Sequence, residues 1–229
     1  MTILPSKDVE ALRLHGWVAL RGSNAIEVED VVVRLARQLG EPTPSRKGRG
    51  CVDRPAPVAT DRSHPRSLSR MFGIGAFPLH TDTAHWPVPS RFIVLGCVSP
   101  GASNRPTLLQ AADNLNIGSS ERRLLSEGVF LVRNGRRSFC SAIFPANQPY
   151  IRFDSGCMSP VTESAHRGWQ TVLQRIAAAT PIHIPWRSGD VLVIDNWRTL
   201  HGRGDATDDD DRVLIRVLVR ADHSPWEQL

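Results

Sequence analysis

The chain has 229 residues, 41% apolar and 22% charged, proportions that exclude collagen-like, coiled-coil and wholly disordered molecules. Its net charge of +5 comes from 26 Arg and two Lys against 23 acids, a basic but not extreme balance. The length suits one sizeable core and no shift of composition marks a boundary, so a single domain over 1–229 is expected.

In chain order, Met1-Thr2-Ile3-Leu4-Pro5-Ser6-Lys7-Asp8 lacks the apolar segment of an export signal, and no later run reaches membrane-spanning length. A soluble, cytoplasmic protein is expected. Residues 7–15 and 26–39 carry helical spacing, the second through Val28, Val31, Val32, Leu35, Ala36 and Leu39, with Gly40 placed to stop it. Residues 16–20 between them read as a short strand. From 41 to 69 the apolar period disappears under Pro, Arg and Ser, which predicts a long loop able to fold over something. Residues 44–70 hold seven cations and two acids, an excess equal to the whole net charge. The stretch has no aromatic residue for base stacking, so a solvated loop is favoured over a nucleic-acid surface.

Residues 91–98 and 107–112 read as strands, 120–127 as a short helix, and 162–179 as a helix capped by Thr162, with Trp169, Val172, Leu173 and Ile176 on one stripe. Strands follow at 183–186, 191–195 and 213–219. The sum is an α+β chain dominated by antiparallel strands. Cys51, Cys97, Cys140 and Cys157 lie far apart without a C-x-x-C pair, which points to reduced, structural thiols. No nucleophile elbow, Walker loop or dinucleotide fingerprint is complete.

The chemistry gathers around His80-Thr81-Asp82. A strand's two-residue period would put His80 and Asp82 on one face. His201, after the strand-and-turn 191–197, is the leading third partner, and two His with one carboxylate and open positions suit non-haem Fe(II). The last strand adds Arg212, Arg216 and Arg220 on one face, with Val213, Ile215, Val217 and Val219 on the other. Buried guanidinium groups need counter-charges, so that face should meet bound anions or protein carboxylates. Arg152 and Asp154 would share another strand face, as a structural ion pair or as contacts for the charged groups of an amino-acid-like substrate. His85 reads as a histidine packed beside Trp86, His15, His64, His166, His183 and His223 as surface or structural, and the acidic run 208–211 as a solvated loop.

Four stretches, 77–86, 106–109, 195–203 and 212–216, resemble in residue and order the taurine dioxygenase and clavaminate synthase group of Fe(II)/2-oxoglutarate-dependent oxygenases. The opening, 16–21 and 35–42, is similar as well. The resemblance implies a double-stranded β-helix (jelly-roll) core with flanking helices, and Fe(II) held by His80, Asp82 and His201. It implies Thr107 and Arg212 on the far carboxylate of 2-oxoglutarate, and Arg216 facing the anionic group of the substrate. Arg212 and Arg216 exchange tasks if the register shifts. It also implies coupling of 2-oxoglutarate breakdown to succinate and CO2, consuming O2, with oxidation of a small substrate. Retention of Asp82 points to hydroxylation or desaturation over halogenation. The chain is short between the two metal motifs, which makes 44–70 the candidate active-site loop. A small polar, carboxylate-bearing metabolite such as an amino acid or natural-product intermediate is the expected substrate. The competing class is a non-catalytic β-helix module that binds an anionic ligand. A nucleic-acid-modifying oxygenase leans on the basic loop alone.

Overall fold

The computed structural model describes residues 4–22, 26–55, 61, 69–102, 105–205 and 212–221. The acidic run 208–211, His64, His223 and much of the basic loop lie outside them. The first third gives α1 (Ser6–His15), β1 (Trp17–Leu20), α2 (Val28–Leu39), β2 (Glu41–Thr43), β3 (Val52–Asp53), α3 (Ser69–Phe72) and β4 (Phe77–His80). Next come β5 (Phe92–Ser99), β6 (Thr107–Ala111), α4 (Ser119–Glu127), β7 (Phe130–Val132), β8 (Phe139–Ser141) and β9 (Met158–Pro160). The chain then runs through α5 (Glu163–Ala178), β10 (Ile182–Ile184), β11 (Val191–Asp195), β12 (Thr199–Arg203) and β13 (Val213–Arg220).

The strands form three antiparallel sheets. One runs β1-β11-β5-β13-β2 with β3 also on β13, a second β10-β6-β12-β4, and a small third β8-β7-β9. The α+β reading with an antiparallel majority agrees with this architecture. Two parts differ from expectation. The stretch 41–55 is not all loop, because β2 and β3 pair with the open side of β13. His201 does not merely follow a strand; it lies within β12.

Alternation along β13 explains the layers. Ile215, Val217 and Val219 pack with Val28, Val32, Leu35 and Leu39 of α2, while Leu214 and Leu218 pack with Leu109, Ile184 and Trp186 from the opposite sheet. The period of two that separates apolar from cationic positions thus separates two cores. Gly96 lets α2 lie against β5: a Cβ there would stand 2.6 Å from the Val32 side chain and 2.9 Å from that of Val28. A further core, built on Leu79, Leu200, Phe130, Phe153 and Val172, covers the far side of the second sheet beneath α4 and α5. Each apolar side chain moved wholly out of water adds about 1.5–3 kcal/mol of gross stabilisation. Among the described residues, no helix is long and apolar enough to cross a membrane.

Candidate active site

His80 ends β4 directly opposite His201 of β12 in the antiparallel register, so both side chains leave the sheet on one face. Their ring centroids are 4.4 Å apart. The Nδ1 of His80 lies 2.9 Å from the carbonyl oxygen of Pro78, which fixes the ring and leaves Nε2 as its second nitrogen. The Nδ1 of His201 is buried without a hydrogen-bond partner. Burial, with His80 and Arg216 adding to it, pushes the His201 imidazole down to about 3, against the pull of Asp82. It is neutral at ordinary pH, as a metal ligand must be.

Asp82 arrives differently from the strand geometry expected. The strand stops at His80 because Thr81 bonds sideways: its N–H donates to Phe153 O and its hydroxyl to Ile151 O. Asp82 therefore sits in a turn, followed by Thr83 with a φ of 55°. Its Oδ1 accepts the Thr83 N–H at 2.9 Å and its Oδ2 accepts from Arg216 Nη1 at 2.7 Å. Burial alone would raise the Asp82 carboxyl. Arg216, then His201, His80 and the Thr83 N–H outweigh burial and hold it at about 2.

On the cationic face of β13, Arg216 meets two protein carboxylates. Arg216 donates to Asp82 and, through Nη2, to Asp53 Oδ2 at 3.1 Å. Asp53 is its cross-strand partner on β3 and also accepts the Ser45 hydroxyl at 3.0 Å. In the sequence Asp53 stands out only as an acid in a basic stretch. The clue available was that the arginine face demanded counter-charges. Arg212, 7% exposed, reaches Thr107 Oγ1 at 3.4 Å and the Arg105 carbonyl at 3.1 Å, and Trp186 Nε1–H donates to the same Thr107 oxygen at 3.0 Å. Thr107 and Arg212 are thus brought together, on the same inter-sheet side as His201.

Arg152 is elsewhere engaged. It is 1% exposed, and its two terminal nitrogens donate to the carbonyls of Ala84, Trp86 and Pro87. Asp154, one of its two expected partners, does not take those donors; the buried Ala84 carbonyl and the partly buried carbonyls of Trp86 and Pro87 hold them. His85 is half-buried, 6.2 Å from the Trp86 ring in edge-on contact, and burial lowers its pKa.

Among the described residues, no three His, Cys, Asp or Glu side chains are gathered into a ready metal-holding group. In chemistry the donors fit a divalent cation: a pair of adjacent imidazoles, one with a buried nitrogen that has no hydrogen-bond partner, and a mostly buried ionised carboxylate beside them.

The model of the taurine catabolism dioxygenase TauD, TfdA family matches residues 117–218, a span that holds His201, Arg212 and Arg216 but not His80 or Asp82. No curated protein matches the chain. Among solved structures, a variant of the non-heme iron oxygenase OrfP with (3S)-hydroxy-L-Arg shares the fold with a TM-score of 0.76 at 22% identity, over 96% of this chain and 81% of that one. OrfP with Fe and alpha-ketoglutaric acid gives 0.73 at 23% over 95% and 81%. Asparagine oxygenase with Fe(II), hydroxyasparagine and succinate gives 0.73 at 18% over 93% and 78%. The chain is thus similar to the TauD/TfdA family over residues 117–218 and shares its overall fold with these oxygenases.

Proposed function

We propose that the chain is an Fe(II)/2-oxoglutarate-dependent oxygenase that hydroxylates a small, polar, carboxylate-bearing metabolite of amino-acid type. The observation that carries this reading is the cross-strand pair His80–His201 with Asp82 beside it, on the same inter-sheet side as Thr107 and Arg212. The two main sheets form a double-stranded β-helix in this reading, as one domain that works in the cytoplasm. OrfP and asparagine oxygenase, structures solved with a hydroxylated arginine and a hydroxylated asparagine, support the substrate class.

His80, Asp82 and His201 would hold Fe(II), which with 2-oxoglutarate and O2 supplies the oxidising power. The protein's own part is orientation and charge. Two imidazoles and a carboxylate would together offer one negative charge to the cation. Arg212, beside Thr107 and under Trp186, offers a guanidinium and a hydroxyl to a distant carboxylate of the cosubstrate. Arg216 would meet the substrate's anionic group, giving up part of its hold on Asp53 or Asp82. The mostly apolar walls around Leu109, Trp186, Leu192 and Leu214 limit water.

One observation favours the rival reading of a non-catalytic module that binds an anion: Asp82 is tied to Arg216. Anaerobic titration of the metal-free protein with Fe(II) and 2-oxoglutarate decides between them. The expected result is a weak visible charge-transfer band that needs both additions and vanishes in Asp82→Ala. Its absence from folded wild-type protein would sink the oxygenase reading. Given the band, arginine, asparagine and their analogues are screened by succinate release, and His80→Ala, Asp82→Ala and His201→Ala should each abolish it. Arg212→Ala should chiefly raise KM for 2-oxoglutarate and Arg216→Ala chiefly raise KM for the substrate; the reverse pattern would exchange their roles.

A further inference from the structure

Asn196 occupies the turn between β11 and β12 and is 0% exposed. Its side chain spends both ends on a segment 114 residues away. Oδ1 accepts the backbone N–H of Asp82 at 2.8 Å, and Nδ2 donates to the carbonyl of Asp82 at 3.0 Å and to that of Ser90 at 2.7 Å. One amide thus grips the N–H and the C=O of a single residue, which fixes the position of that residue and its rotation about the chain axis. The Asn196 main chain is itself tied down, its N–H donating to Arg91 O at 2.7 Å.

The gripped turn needs such a restraint. Thr83, a β-branched residue, has a φ of 55°, a left-handed conformation that persists only where its surroundings over-determine it. Its hydroxyl contacts the Asp82 carbonyl at 2.6 Å and the Ser90 hydroxyl at 3.0 Å. His201 follows Asn196 by five residues on the same turn-and-strand unit. The backbone that carries His201 therefore also holds the backbone that carries Asp82.

We infer that Asn196 is a positioning residue for the metal site, its amide setting where the Asp82 carboxylate stands relative to His201. The inference rests on the reading of His80, Asp82 and His201 as metal ligands. A merely structural asparagine would contribute to stability and leave metal affinity alone. A positioning one sets both.

The test is titration of the metal-free full chain with Co(II), read by the visible bands of bound cobalt and by the rise in Tm that Co(II) produces. Asn196→Ser removes all three bonds, and Asn196→Asp keeps the acceptor while losing both donations. Trp197→Phe is the control: it deletes the Nε1–H donation to Pro89 O, 3.0 Å long in the same turn, and trims the ring that Arg91 and Tyr150 contact, leaving the three Asn196 side-chain bonds in place. Both Asn196 variants should bind Co(II) about 10- to 100-fold more weakly with altered bands, the loss typical when a ligand's supporting bond is removed. Trp197→Phe should lower Tm and leave Co(II) affinity unchanged. Wild-type affinity in a folded Asn196 variant overturns the inference while the metal site stands. No Co(II) binding by the wild type overturns the metal-site reading and this inference with it. Amide exchange in the wild type needs no variant: the Asp82 N–H should be protected before metal is added, and fast exchange there overturns pre-positioning.

Discussion

Arg152 shows how a single cation can be structural in a protein rich in arginine. Its terminal nitrogens neutralise the carbonyls of Ala84, Trp86 and Pro87, just beyond the Asp82 turn, and its guanidinium lies 5.1 Å from the Phe139 ring. Removing it leaves the buried Ala84 oxygen without its donor, at a cost of about 1–3 kcal/mol, while the partly buried Trp86 and Pro87 oxygens can turn to water. Arg152→Met should therefore destabilise the chain by about 1–3 kcal/mol, and Arg152→Lys by less because the Ala84 carbonyl can regain a donor. Urea unfolding checks this; wild-type stability in Arg152→Met would show that water replaces the guanidinium. The sequence revealed that the residue was unusual but not what it touches, because its partners are main-chain oxygens 65 to 68 residues earlier. Asp53 was hidden for a similar reason. A two-residue strand has no periodicity to read, and its pairing with Arg216 spans 163 residues. His80 and His201 were legible because their residue types already carry the chemistry.

Among the elements, long periodic segments were readable and short ones were not. α2, α5, β5, β11 and β13 fall within a residue or two of their expected ends, since each repeats an apolar stripe or alternation over eight or more residues or forms a fully buried run. The three-residue strands β7, β8 and β9 carry no such repeat, and β12, reading Thr-Leu-His-Gly-Arg, has only one large apolar residue. Yet β12 matters most for the site. Its Gly202 passes close to β4: a Cβ there would stand 2.7 Å from the Phe77 carbonyl oxygen and 3.2 Å from the Leu79 nitrogen. Backbone cannot yield as a flexible side chain does, so Gly202→Ala should push β4 outward and part His80 from His201. The expected cost is about 1–3 kcal/mol, as for other overpacked sites, with weakened Co(II) binding. Gly50→Ala, where the added carbon meets nothing within 4 Å, should leave both unchanged. Undiminished Co(II) affinity in Gly202→Ala would mean that the two strands move together.

For the molecule as a whole, the sequence located both the basic excess and the row of arginines on β13, and the fold puts two carboxylates against one of them, Arg216. One carboxylate has a different fate. Asp195 ends β11 at the junction where its N–H meets the Gly16 carbonyl and its Oδ1 accepts the Trp197 N–H at 3.1 Å. Only 1% exposed, it is raised by burial from 3.8 to about 6, although Arg91, the Trp197 N–H and Arg198 pull the other way. The folded chain therefore binds this proton more tightly than the unfolded chain. Stability from this group is full below about pH 4, falls as pH rises through the window to about 6, and is constant above it. Asn at 195 keeps an acceptor for Trp197 and cannot ionise. The difference in unfolding free energy, variant minus wild type, should grow on the order of 2 kcal/mol between those limits. Urea unfolding of both proteins at steps across this range measures the difference directly, with the remaining carboxylates cancelling because they titrate in both. A difference that stays flat would show that Asp195 keeps an ordinary pKa, its charge balanced by Arg91 across the top of the large sheet.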